Sequence, residues 1–282
     1  MHFNSKLQEE THKKAILKKY KAVAFDVDGT LTKFAGFVIP ESLKKALVQI
    51  PVPKAFCTGR PIENMGAHLE KICNMSKNPK KELESWTIIS ENGSAISEYQ
   101  KKTQDYKMIY EVLWPEERIT RETLSAFIKD KFGWHAIVAL RGHCLVTHYH
   151  AWMYLFPRGI RLLSHHTALS LRKMLKKMDL DDILSIQDSG IGNLIVPTKS
   201  GKGKAIKVWA NHLGIDVKDV LVIGDQPGIG ENDEEFLSGD FGTAFSVGSL
   251  TKNVYPLPAF DAHGHRLTGP KGTEWMVRNV GW

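Results

Sequence analysis

The chain has 282 residues, of which 42% are hydrophobic and 24% charged, with a formal net charge of +7. These values suit a soluble globular protein of one or two domains and exclude a largely disordered chain. The basic excess favours anionic partners without choosing among phosphate esters, nucleic acid and membrane surfaces.

In chain order, the N-terminal tract His12-Lys13-Lys14 and Lys18-Lys19 is mixed with Glu9 and Glu10 and reads as one solvated helix face. Residues 21–26 form a short apolar run entering an acidic loop, the pattern of a buried parallel strand. A helix is expected at about 41–49. A second apolar run, Val52 to Cys57, stops at Thr58-Gly59-Arg60, and a helix with Met65 and Leu69 on one face follows. Residues 86–90 make a third strand, closing on Glu91-Asn92-Gly93. From about 95 to 192 the texture becomes more aromatic and more alternating, with segments 106–113, 135–140, 144–149 and 152–156, then a helical piece from Thr167 to Met178. Ala205 to Leu213 is helical again, 219–224 is a buried strand ending at Asp225, and 241–248 is one more strand. Strands alternating with helices, each strand ending in polar residues, describe an α/β doubly wound parallel sheet. The expected organisation is a core of residues 1–94 and 193–282 carrying an inserted α+β module over 95–192.

The chemistry concentrates where these strands end. Asp26-Val27-Asp28-Gly29-Thr30 puts two carboxylates at i and i+2 directly after a buried strand, an unfavourable pairing without a cation. Mg²⁺ prefers oxygen ligands and is commonly held by one or two carboxylates plus phosphate oxygens. Gly29 allows a sharp turn and leaves room for a phosphate. Thr58 closes the second strand, with Gly59 and Arg60 beside it. Lys202 lies in Ser200-Gly201-Lys202-Gly203-Lys204-Ala205, at a helix start. That segment is no Walker-type loop, because Thr198 stands where the upstream glycine belongs and Ala205 follows the lysine. Asp225 ends the 219–224 strand, and Asn232-Asp233 follow across Gln226-Pro227-Gly228-Ile229-Gly230-Glu231.

In this order the four segments resemble the motifs of the haloacid dehalogenase-like phosphotransferase superfamily. F-D-V-D-G-T-L-T is similar to its first motif, which implies Asp26 as nucleophile and Asp28 as general acid and base. C-T-G-R resembles the second, implying that Thr58 bonds the transferring phosphoryl group, with Gly29, Thr30, Gly59 and Arg60 around the substrate. K-G-K-A resembles the third, implying Lys202 rather than Lys204 or Lys199 as the cation beside Asp26. Gly224-Asp225 and Asn232-Asp233 resemble the fourth. The resemblance therefore implies Mg²⁺ held by Asp26, the Asp28 backbone carbonyl, Asp225 and the Asn232-Asp233 pair; Glu231 is an alternative ligand that the family pattern does not predict. The usual compact fourth motif has its aspartates four apart, whereas here they are eight apart, as in the loop of eukaryotic phosphomannomutases. The long insertion before Lys202 resembles a large α/β cap that sets specificity.

Other residues carry weaker signals. His143, His148, His150, His165 and His166 cluster without a Cys or carboxylate at zinc-ligand spacing, so a few facing the active site from the cap is the better reading. Arg141, Arg158 and Arg161 could meet an anionic substrate or be ordinary surface arginines. Trp86, Trp134, Trp152 and Phe156 read as packing rather than a base-stacking surface, and without a basic and aromatic stripe no nucleic-acid partner is expected. No run reaches the roughly 18 to 20 apolar residues of a membrane span, and no membrane partner is expected. Cys57, Cys73 and Cys144 lack paired spacing and the early residues lack a signal core, so a cytoplasmic protein with free thiols is expected. The expected function is a Mg²⁺-dependent phosphatase acting on a small anionic phosphorylated metabolite, probed against a phosphomutase and a non-catalytic binding protein as alternatives.

Overall fold

The computed structural model describes residues 3–33, 38–133, 137–148 and 157–282. Its centre is the run Ala22–Phe25 (β1), four wholly buried residues whose side chains alternate between two cores. Val23 and Phe25 enter a large cluster with Leu43, Leu69, Trp86 and Met276, whereas Ala22 and Ala24 face Trp209, Ile206 and Phe236. Small alanines on the second face leave room for the Trp209 ring, whose indole N–H donates to Thr87 Oγ1 at 3.0 Å.

Around β1 lie Lys54–Cys57 (β2), Trp86–Ser90 (β3), Ala95–Gln100 (β4), Asp105–Glu111 (β5), Val220–Gly224 (β10), Thr243–Ser246 (β11) and Leu257–Pro258 (β12). The sheet order is β12-β11-β10-β1-β2-β3-β4-β5, parallel from β12 to β3 and antiparallel over β4 and β5. The first core is covered by helices Lys6–Leu17 (α1), Glu41–Leu47 (α2), Gly66–Cys73 (α3) and Gly269–Asn279 (α8), with the short Pro79–Leu83 helix (α4) beside α3. The second is covered by Lys202–His212 (α7). Strand order reverses between β1 and β10. Their carboxyl ends form the crevice where open α/β sheets bind ligands.

The inserted module is a four-stranded antiparallel sheet of Ile137–Arg141 (β6), Cys144–His148 (β7), Leu184–Asp188 (β8) and Gly192–Pro197 (β9), ordered β6-β7-β9-β8. Arg121–Phe132 (α5) and Pro157–Lys177 (α6) pack on it through Leu124, Ile128, Leu171 and Leu175. Thr120 caps α5 by accepting from the Thr123 amide.

Strand pairing puts the module's edges elsewhere than residues 95 and 192. β4 and β5 extend the core sheet through β3, and β9, which runs to Pro197, belongs to the module. The alternating 106–113 texture arises because β5 is a half-exposed edge strand, which reads like a cap strand. The helix expected from Thr167 starts ten residues earlier, at Pro157. Segment 152–156 and residues His150, Trp134, Trp152 and Phe156 lie outside the described residues. Trp86 packs against Phe56 in the first core, with the rings tilted at 58°. All three cysteines are buried and none is in a disulfide, and among the described residues no helix is long and apolar enough to cross a membrane.

Candidate active site

The candidate site residues sit where buried strands run out or a helix begins. Asp26 follows β1, Thr58 follows β2, Asp225 follows β10, and Lys202 is the first residue of α7. The Lys202 ammonium is buried and donates to Asp26 Oδ1 and to Asp233 Oδ1, each at 2.6 Å. The second oxygen of Asp233 accepts from the amides of Asp225 and Gln226 at 3.1 and 3.2 Å. Asp26, Asp225 and Asp233 thus form one buried acidic group whose ligand oxygens lie within 4.8 Å of one another. Lys204 turns away, donating to the carbonyls of Thr198 and Ser200, and Lys199 is exposed.

The electrostatics follow from three carboxylates sharing one ammonium. Burial pushes Asp26 up to about 8, with Asp233 and Asp28 adding to the rise and Lys202 opposing it. Asp225 is raised well above the usual carboxylate range by burial, then by Asp26 and Asp233. Burial alone would lower Lys202, but Asp233 and Asp26 more than offset it and hold the ammonium charged.

Asp28 is only partly buried, and Arg60 holds it through Nε to Oδ2 at 2.9 Å and Nη2 to Oδ1. Thr58 Oγ1 accepts from the Arg60 amide at 3.1 Å, which leaves its hydroxyl proton to donate elsewhere. Gly29 has φ +86°, and a Cβ there would collide with the Asp225 carboxylate. The residue type is therefore set by both the turn and the close approach. Thr30 Oγ1 is buried without a hydrogen-bond partner. Asn232 donates its amide to Asp188 O at 3.0 Å while its side-chain Oδ1 is buried and unpartnered. Glu231 accepts from the Gly228 amide at 2.7 Å and so braces its own loop.

Residues 23–138 and 161–256 match the model of the haloacid dehalogenase-like hydrolases. The chain belongs to that family. A phosphoglycolate phosphatase from Methanobrevibacter smithii is 24% identical over 231 residues, which cover 81% of this hydrolase and 86% of that protein. Among solved structures, an IMP-bound, N-terminally truncated IMP-nucleotidase from Plasmodium falciparum superposes with TM-score 0.65 at 13% identity, covering 94% of this chain and 68% of that one. A subclass IIB sugar phosphatase superposes with TM-score 0.56 at 17% identity, covering 92% and 96%. At those identities the structural likeness speaks to the fold.

The hydrolase's acidic group suits a hard divalent cation. Its donors are all oxygen, and Asp225 Oδ1 is buried with no hydrogen-bond partner. When ionised, the three carboxylates outnumber the one ammonium bonded to them, an excess that a divalent cation would balance. Asp225 Oδ1 is open to a cation, whereas both Asp233 oxygens are already engaged, and Asn232 Oδ1 on the same loop is also buried without a hydrogen-bond partner.

Two contacts between core and cap went unseen in the sequence. Glu91, just past β3, accepts from the His143 amide at 2.6 Å, and the His143 ring reaches Glu111 at 3.1 Å. Asp188 and Arg172 of the cap meet the 225–233 loop. A carboxylate or arginine far along the chain gives no local signal of such a partner. Of the remaining histidines, His165 lies 3.7 Å from Asp188 and is half exposed.

Proposed function

We propose that this hydrolase is a metal-dependent phosphatase that cleaves phosphate monoesters of a small metabolite through a phospho-aspartate on Asp26, with Mg²⁺ as the metal. The observation that carries the reading is the buried Asp26–Lys202–Asp233 chain beside the orphaned Asp225 oxygen, at the crevice between β1 and β10. Asp26 offers a carboxylate oxygen to phosphorus, and Lys202 keeps that carboxylate oriented and screened from the approaching anion. Thr58 donates its free hydroxyl proton to a phosphoryl oxygen. The P–O ester bond breaks as Asp28 gives a proton to the leaving oxygen, turning from its resting contact with Arg60. Asp28 then takes a proton from water, whose oxygen attacks the phospho-aspartate to release phosphate and restore Asp26. A bound Mg²⁺ would balance the negative charge of the carboxylates and the phosphoryl group.

The leaving group has room in a cavity of about 590 Å³ that opens beside Gly29 and Asp225. Lys33 and Lys271 of the core and Arg161 of cap helix α6 line it, which favours hydroxyl-rich or acidic leaving groups over apolar ones. Sugar phosphates are the substrate class proposed, a reading supported by, but not identical with, what is named for the relatives above. The long 225–233 loop favours phosphomutase chemistry as a second reading, because it resembles the phosphomannomutase loop.

A screen of sugar phosphates, phospho-acids and nucleotides separates these readings when free phosphate and isomeric sugar phosphate are both measured. The expected result is phosphate release matching substrate loss, abolished by chelator and restored by Mg²⁺. Isomer formation outrunning phosphate release, and accelerating with added sugar bisphosphate, would favour the mutase instead.

A further inference from the structure

The fourth-motif loop is four residues longer than the compact form, and the structure gives the extra length a destination. Its tip leaves the core and joins the edge of the cap sheet. The Asp188 amide, at the end of β8, donates to Gly230 O at 3.0 Å, and the Asn232 amide donates back to Asp188 O at 3.0 Å. Asp188 and Glu231 form an isolated parallel bridge. Arg172 of α6 clamps this junction, donating from one nitrogen, Nη2, to Ile186 O at 3.0 Å and to Gly230 O at 3.2 Å. Gly230 has φ +75°, and a Cβ there would press into the Arg172 guanidinium. Within the loop, the Glu231 carboxylate on Gly228 N and the Asp233 amide on Gln226 O keep the turn stiff. Asn232 and Asp233 are therefore set at one end by the cap and at the other by Lys202.

We propose that Arg172 is a positioning residue for the metal centre, and that the cap thereby helps to assemble the cation site. The inference rests on the metal-dependent reading of the Asp26–Asp225 group. Docking the cap aligns the Asn232-Asp233 end of the loop, so cation affinity and cap position are linked. Linkage is reciprocal: a cation bound below stabilises the docked cap by the same factor.

The test is Mn²⁺ binding to the full chain without substrate, followed by electron paramagnetic resonance. Arg172→Ala should weaken Mn²⁺ binding about tenfold, the lower end of what outer-shell partners of a metal contribute. Gly230→Ala attacks the same contact from the core side and should do likewise. Arg172→Lys should stay near the parent, because one ammonium can replace the single nitrogen that makes both bonds. Lys173→Ala, on the exposed side of α6, should leave binding unchanged. If Arg172→Ala folds poorly, Gly230→Ala and Arg172→Lys still decide. Parent-like affinity in Arg172→Ala, or in Gly230→Ala if the first does not fold, overturns the inference. A parent chain that binds no Mn²⁺ overturns the metal reading itself and takes the inference with it.

Discussion

At the scale of single residues, Lys202 has the sharpest task. It is 1% exposed, and its ammonium is bonded to two of the three clustered carboxylates. Lys202→Met keeps the volume of the side chain and removes the charge, leaving Asp26 and Asp233 to repel each other and the substrate. The expected outcome is a loss of about 10² to 10³ in kcat, the usual effect of deleting one preorganised donor from a reacting anion, with a smaller change in KM. Steady-state kinetics check this, and a variant within a few-fold of parent kcat would remove Lys202 from the chemistry. Lys202 and Asp26 were legible in the sequence because each stands beside a buried strand or helix start, where a charge has few structural uses. The pairing of Asp233 with Lys202 was not legible. It depends on a loop folding back so that the amides of Asp225 and Gln226 meet one oxygen and the ammonium the other.

At the scale of elements, the β6–β7 turn fastens the cap to the core. Glu91 takes the His143 amide, and a Cβ at Gly142 would strike the same carboxylate. The Glu91 carboxylate, 3.7 Å from the His143 ring, raises the imidazole, burial opposes it, and Glu111 adds to the rise. Glu91 is itself lowered by His143 against its own burial, so the two partners agree in sign. A histidine raised in the folded state stabilises fully below its unfolded value near 6.5 and loses that contribution as pH rises through the higher folded value. His143→Gln should therefore be less stable than the parent at pH 6 and converge on it at more alkaline pH, as followed by thermal melts across the range. A constant gap between the two proteins at every pH would show that the contact does not titrate. The alternation of β5 is the element that misled the sequence reading. Its half-exposed face has the period of a cap strand, and only pairing to β4 assigns it to the core.

At the scale of the whole molecule, the parallel core was legible because its strands are fully buried, apolar and closed by polar residues. The cap was legible only as a change of texture. Its antiparallel strands come from residues 137–148 and 184–197, with the long α6 in between, and no local pattern announces that pairing. The same holds for the two junctions that join cap to core, at Glu91 and at Gly230, which flank the crevice where Asp26 lies. In the proposed reading, both domains assemble the site around one nucleophile, Asp26. The most direct test of that reading is the rate of phosphate release from a sugar phosphate in Mg²⁺ by the parent and by Asp26→Asn, with circular dichroism confirming that both are folded. The account predicts that the folded Asp26→Asn variant falls below a few per cent of the parent rate. A folded variant that retained more than that in Mg²⁺ would contradict the assignment of Asp26 as the attacking group.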